Sequence, residues 1–83
     1  MQIEIHPHAA QRAIERGAES EEIIEAVMEG EEFPAKFNRT GFRKNFKSKT
    51  KWMNKKYETK QIEAYCVKEK NTWMVITVIV KYF

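Results

Sequence analysis

Residues 71–83 read Asn71-Thr-Trp-Met-Val-Ile-Thr-Val-Ile-Val-Lys-Tyr-Phe83. From Trp73 to Val80 only Thr77 interrupts the apolar run, and threonine suits a strand. β-branched residues dominate, and the stretch is too short to cross a bilayer as a helix. A strand that is apolar at both odd and even positions must be covered on both faces, or lie mid-sheet beneath a helix layer. We read it as the central strand on which the remaining elements are laid.

Working outward, residues 59–68 alternate. Ile62, Ala64 and Cys66 point one way and Gln61, Glu63 and Tyr65 the other, and Glu69-Lys70-Asn71 is a tight link into the final strand. Gly41 to Ser48 alternates as well, with Phe42, Lys44 and Phe46 opposite Arg43, Asn45 and Lys47. Between these runs Trp52 and Tyr57 are candidate anchors, and a turn is expected near Asn54. Glu31 to Asn38 is a crossing segment pinned by Phe33 and Phe37, kept out of a central strand by Pro34, with a turn at Arg39-Thr40-Gly41.

The amino-terminal half is helical. Ile3 and Ile5 mark a short first strand. Pro7 suits the first position of a helix, which runs to about Arg16 and stops at Gly17. Ala9, Ala10, Ala13 and Ile14 share one arc of it; His8, Arg12, Glu15 and Arg16 share the other. A second helix spans about Ser20 to Glu29, with Glu21 and Glu22 at the favourable end of its dipole and Ile23, Ile24, Val27 and Met28 as its buried stripe. The expected architecture is α+β. A first strand and a two-helix hairpin pack on a three- to four-stranded antiparallel sheet, because strands joined by short links pair antiparallel.

Eighty-three residues make one domain, 1–83, near the lower limit for an adequate core. The single cysteine, Cys66, excludes an internal disulfide and reads as a buried, inert thiol. With no signal peptide and no membrane-length run, the cytoplasm is the expected location. Net charge is only +3, but it is unevenly spread: residues 1–32 hold nine acidic and two basic side chains, residues 33–83 three acidic and thirteen basic. Such asymmetry suggests a polyanion or an acidic protein as partner, or lysines protecting an edge hairpin from aggregation.

The candidate chemistry falls into three groups. His6 and His8 form an H-x-H pair, but no second His or Cys cluster completes a metal site, so no metal or cofactor is expected. His8, Arg12 and Arg16 recur every four residues along one helix face, where an imidazole and two guanidiniums can hold a phosphate and move a proton; a merely solvated face, with Glu15 pairing to Arg12, is the structural alternative. Glu63 is a candidate general base on the sheet, with Lys81 or Tyr82 to stabilise charge on phosphorus. Arg43, Lys44, Lys47, Lys49, Lys51, Lys55 and Lys56, interleaved with aromatic residues, form a candidate track for a nucleic-acid backbone. No Ser-His-Asp order, phosphate-binding glycine loop or paired metal carboxylates accompany them.

His6-Pro-His-Ala-Ala-Gln-Arg-Ala-Ile-Glu-Arg-Gly17, followed by Ser20-Glu-Glu-Ile-Ile-Glu-Ala-Val27 and Gly30-Glu31, resembles a small bacterial family known as domain of unknown function 4258. The strands Glu63-Ala-Tyr-Cys-Val67 and Val75-Ile-Thr-Val-Ile-Val80 resemble its ending. The resemblance implies a fold similar to the RelE/ParE-like toxins, two helices on a curved antiparallel sheet. It also implies a toxin that cleaves messenger RNA, free or on the ribosome, or poisons gyrase, and that an acidic antitoxin-like protein restrains. Only His8, Arg12, Glu15 and Arg16 fall on motif positions. The leading expectation is a metal-independent endoribonuclease with His8 as acid or base, Arg12 and Arg16 as phosphate clamps and Glu63 as a further catalytic candidate. The competing class is a non-enzymatic basic module that binds nucleic acid or an acidic protein.

Overall fold

The computed structural model describes residues 2–47, 51–52 and 55–83, with the side chains of 51–56 outside the described set. In chain order the elements are β1 (Gln2–Ile5), α1 (Pro7–Glu15), α2 (Ser20–Glu29), β2 (Glu31–Pro34), β3 (Thr40–Lys47), β4 (Lys51–Trp52), β5 (Lys55–Lys56), β6 (Thr59–Glu69) and β7 (Thr72–Tyr82). β4 and β5 pair with each other; the expected turn at Asn54 and the residue Lys49 lie outside the described residues.

The main sheet has five strands in the order β1-β7-β6-β3-β2. Its class is α+β as expected, but the sheet is mixed. β1 runs parallel to β7, placing Ile3 beside Trp73 and Ile5 beside Val75. Short links force only sequential neighbours to be antiparallel; nearly the whole chain separates β1 from β7, so that rule does not constrain them. The apolar carboxy-terminal strand is interior but not central: β6 holds the middle. β1 covers β7 only as far as Val75, the last residue in their register. Beyond it, that side of β7 has no strand partner among the described residues. A bulge where β6 passes from Tyr65 to Cys66 pairs those residues with Thr77 and Val75, so Ile76 is extra. Val75 and Val78 therefore both face the helices and are buried, while Thr77 and Ile79 point to the helix-free side.

The core lies between the helices and one sheet face: Ala9, Ala13, Ala18, Ile23, Ala26, Val27, Phe42, Ile62, Ala64, Cys66, Val75 and Val78. Small residues on α1 let it approach β7 closely. Of the predicted core residues, Ile14 and Met28 lie outside it at 66% and 70% exposed, and Ala10 and Ile24 are only half-buried. On α2 the buried stripe is centred on Ile23, Ala26 and Val27, one step round from Met28; at about 100° per residue that step turns Met28 away. Cys66 is fully buried, and desolvation pushes its thiol pKa up to about 12.

Pro34 ends an edge strand rather than a loop, since β2 pairs with β3 along Glu31–Pro34. The turn falls earlier than Arg39-Thr40-Gly41. Arg39 N–H donates to the Lys36 carbonyl, and the two residues between, Phe37 and Asn38, have φ of 61° and 60°. That is the positive-φ pair of a type I′ hairpin. Phe33 anchors this segment as expected, edge-on to Tyr65 at 5.8 Å. Phe37 does not, because the turn holds its ring outward.

Candidate anion-binding face of the first helix

α1 starts on a side-chain cap. His6 Nδ1 accepts the His8 backbone N–H at 3.2 Å, and Pro7 occupies the first turn. One member of the H-x-H pair therefore serves the helix start. Its ring meets the His8 ring edge-on at 5.5 Å. Among the described residues no group of three His, Cys, Asp or Glu is placed to hold a metal.

The helical repeat then sets His8, Arg12 and Arg16 in a row along α1. All three line a cleft of about 290 Å³ whose other wall is β7 at Ile76, Thr77 and Val78, the stretch without a second strand partner. An adjoining groove of about 380 Å³ is lined by the same three with Gln11 and Glu15. Arg16 is tied down: its Nη1 donates to the Val78 carbonyl at 3.1 Å. This satisfies one outward backbone acceptor of the open edge. The Tyr82 hydroxyl donates in turn to the Arg16 carbonyl at 2.5 Å, and desolvation raises the Tyr82 pKa. Among the described residues no carboxylate lies within 4.0 Å of either guanidinium, so the Glu15–Arg12 pair of the solvated-face alternative is not formed. Two planar, fully charged forks beside an imidazole suit a tetrahedral oxyanion.

The helix pair is fixed beneath this face by Lys60. Its Nζ donates at 2.8 Å to both the Gly17 carbonyl and Glu22 Oε1. Gly17 has φ +93°, and a Cβ there would run into the Tyr82 hydroxyl, so the α1–α2 junction requires glycine.

The candidate cationic track is divided between two faces. Arg43 and Lys44 are consecutive on β3 and so point oppositely. Lys44 faces α2 and bridges Glu25 at 2.9 Å and Glu29 at 3.5 Å. Arg43 faces the helix-free side, bonded to Glu31 and 3.8 Å from Glu63. The pKa of each is raised, first by its hydrogen bond to Glu25 or Glu31 respectively. Lys47 is exposed at the end of β3. Lys51, Lys55 and Lys56 lie on β4 and β5, and their side chains, like Lys49, belong to the part not described. Part of the charge asymmetry along the chain is thus met internally, Glu22, Glu25 and Glu29 of α2 against Lys44 of β3 and Lys60 of β6.

Glu63 sits on the sheet face opposite α1 and is 4% exposed. Tyr65 donates its hydroxyl to Oε1 at 3.0 Å, and Lys81 approaches Oε2 at 3.4 Å. Both oxygens are engaged, and the sheet separates them from His8. Burial, then the bond to Glu63, raises the Tyr65 pKa. The structure brings together His8, Arg12 and Arg16 on one face, and Glu63, Arg43 and Lys81 on the other. The alternation of β6 already puts Glu63 and Tyr65 on one face; the structure adds the hydrogen bond between them.

Fold and site together define a small α+β protein with a mixed sheet and a cationic, histidine-bearing helix face laid along an open strand edge. Residues 5–80 match the family described as Domain of unknown function (DUF4258), and the chain belongs to that family. No curated protein and no solved structure matches it. No helix among the described residues is long and apolar enough to cross a membrane.

Proposed function

We propose that this protein binds single-stranded RNA by seating a phosphodiester against Arg12 and Arg16, and that it cleaves that RNA without a metal, in the manner of a RelE-like toxin. One observation carries the reading: two guanidiniums with no carboxylate partner among the described residues share a single cleft with the His8 imidazole. In the reaction His8 takes the proton of a ribose 2′-OH, and the 2′-oxygen forms its bond to phosphorus. The bond from phosphorus to the 5′-oxygen breaks, and that oxygen takes a proton from water, leaving a 2′,3′-cyclic phosphate. The guanidiniums hold the extra charge on the non-bridging oxygens. Glu63, across the sheet with both oxygens bonded, takes no part. The order of elements, helices before an antiparallel run, supports the RelE-like comparison. A cationic face of this kind also accepts an acidic antitoxin-like protein.

A second reading, a binding module without catalysis, is favoured by the setting of His8. Its side chain is exposed, and among the described residues no hydrogen bond fixes its imidazole. The test incubates purified protein with single-stranded RNA in a chelator and maps the ends. Cyclic-phosphate ends that vanish in His8→Ala, with the fold intact by circular dichroism, are expected. Binding without cleavage in both proteins selects the second reading, and no RNA binding at all overturns both.

A further inference from the structure

A cavity of about 450 Å³ opens on the helix-free side of the sheet between Phe33, Lys36, Phe37, Arg39, Tyr65 and Ile79. Phe33 and Tyr65 meet edge-on beneath it. No carboxylate is among its lining residues, and neither Lys36 nor Arg39 has one within 4.0 Å among the described residues. At the rim Phe37 is 82% exposed, with the Arg39 guanidinium 5.8 Å from its ring centre. Its φ of 61° is one that glycine or asparagine takes readily and a bulky side chain does not. Lys70 takes a similar φ in the β6–β7 turn, but there the side chain is a solvated lysine. At Phe37 the strained residue exposes a ring at the mouth of a cavity, and strain of this kind clusters at ligand contacts.

The cavity also touches the α1 cleft. Thr77 lines both, because β7 has no neighbouring strand there to separate the two faces. Rings, two cations with no ion-pair partner among the described residues and a lining free of carboxylates suit a flat π system carrying negative charge nearby.

We propose that this cavity is a base-stacking subsite for the single-stranded RNA whose phosphate occupies the α1 cleft. The strand crosses the open edge of β7 at Thr77, and one base lies against Phe37, above Phe33 and Tyr65, with Arg39 and Lys36 attending its phosphate. The inference rests on the phosphate-binding reading and adds the site that holds the base.

Fluorescence anisotropy with a labelled single-stranded oligoribonucleotide, and with an abasic oligomer of equal length, tests it. The wild-type protein binds the base-bearing oligomer about tenfold or more tighter than the abasic one. Phe37→Gly loses most of that difference while melting at a higher temperature, since it relieves the turn; Phe37→Trp restores the difference. Arg12→Ala weakens both oligomers alike. If Phe37→Gly binds both oligomers as wild type does, or melts lower, the subsite is refuted while the phosphate site stands. If the wild-type protein binds neither oligomer, both fall.

Discussion

Replacing Lys60 with methionine keeps the aliphatic stem packed and deletes two charge-assisted hydrogen bonds. Nζ reaches Glu22 and the Gly17 carbonyl at 2.8 Å each, and the Lys60 and Glu22 side chains are only 13% and 22% exposed. A pair this enclosed lies between the surface case, worth under about 1 kcal/mol, and the buried case, where breaking costs about 3–5 kcal/mol. The Gly17 carbonyl is near solvent and regains water, so its loss adds little. Glu22 keeps the Glu19 N–H at 2.9 Å, which softens the loss on its side. We expect Lys60→Met to cost about 2 kcal/mol, Glu22→Gln about 1 kcal/mol, and the double variant to show a coupling of about 1–1.5 kcal/mol. In a domain of this size Lys60→Met then lowers Tm by about 8–16 °C. Thermal and urea melts of the four proteins followed by circular dichroism provide the measurement. A coupling below about 0.3 kcal/mol would refute the claim that this pair fixes the α1–α2 junction. Weaker RNA binding by Lys60→Met should accompany the destabilisation, because Lys60 holds the end of the helix that carries Arg12 and Arg16.

Gly17→Ala forces a side chain into positive φ and against the Tyr82 hydroxyl; a loss of about 2–3 kcal/mol in urea melts is expected, beyond an ordinary surface change. Ala13→Leu, at a site with no exposure on α1, should cost about 1–3 kcal/mol by overpacking and lower RNA affinity by displacing the cationic face. Alkaline pH should unfold the protein through Cys66. The thiol ionises near 9 when unfolded and about 12 when buried, so its stabilising effect is complete below pH 9 and is lost as pH rises towards 12. The upper bound is about 4 kcal/mol, and Cys66→Ala melts should show a visibly shallower decline over that range.

How far the sequence could be read follows from which interactions are local. Both helices follow from Pro7, Gly17 and the apolar spacing of α2, and β6 from the alternation around Ile62 and Ala64. The parallel seat of β1 is a contact between the two ends of the chain, which no local pattern encodes. The bulge at Ile76 turns a continuous apolar run into a strand with one covered and one partly open face. Phe37 was misjudged because hydrophobicity says nothing of a turn that holds the ring outward. At the candidate site, the row His8, Arg12 and Arg16 was legible from helical spacing alone. The neutralisation of Arg43 and Lys44 was not, since their partners Glu31, Glu25 and Glu29 lie on other elements.

The account depends on phosphates being held by Arg12 and Arg16, and the salt dependence of RNA binding measures that contact directly. For single strands each phosphate contact contributes about 0.7 to the slope of log affinity against log salt. The Arg12→Gln, Arg16→Gln double variant, shown folded by circular dichroism, should therefore bind single-stranded RNA more weakly, with a slope about 1.4 smaller than wild type. An unchanged slope and affinity would place the RNA elsewhere and contradict the account.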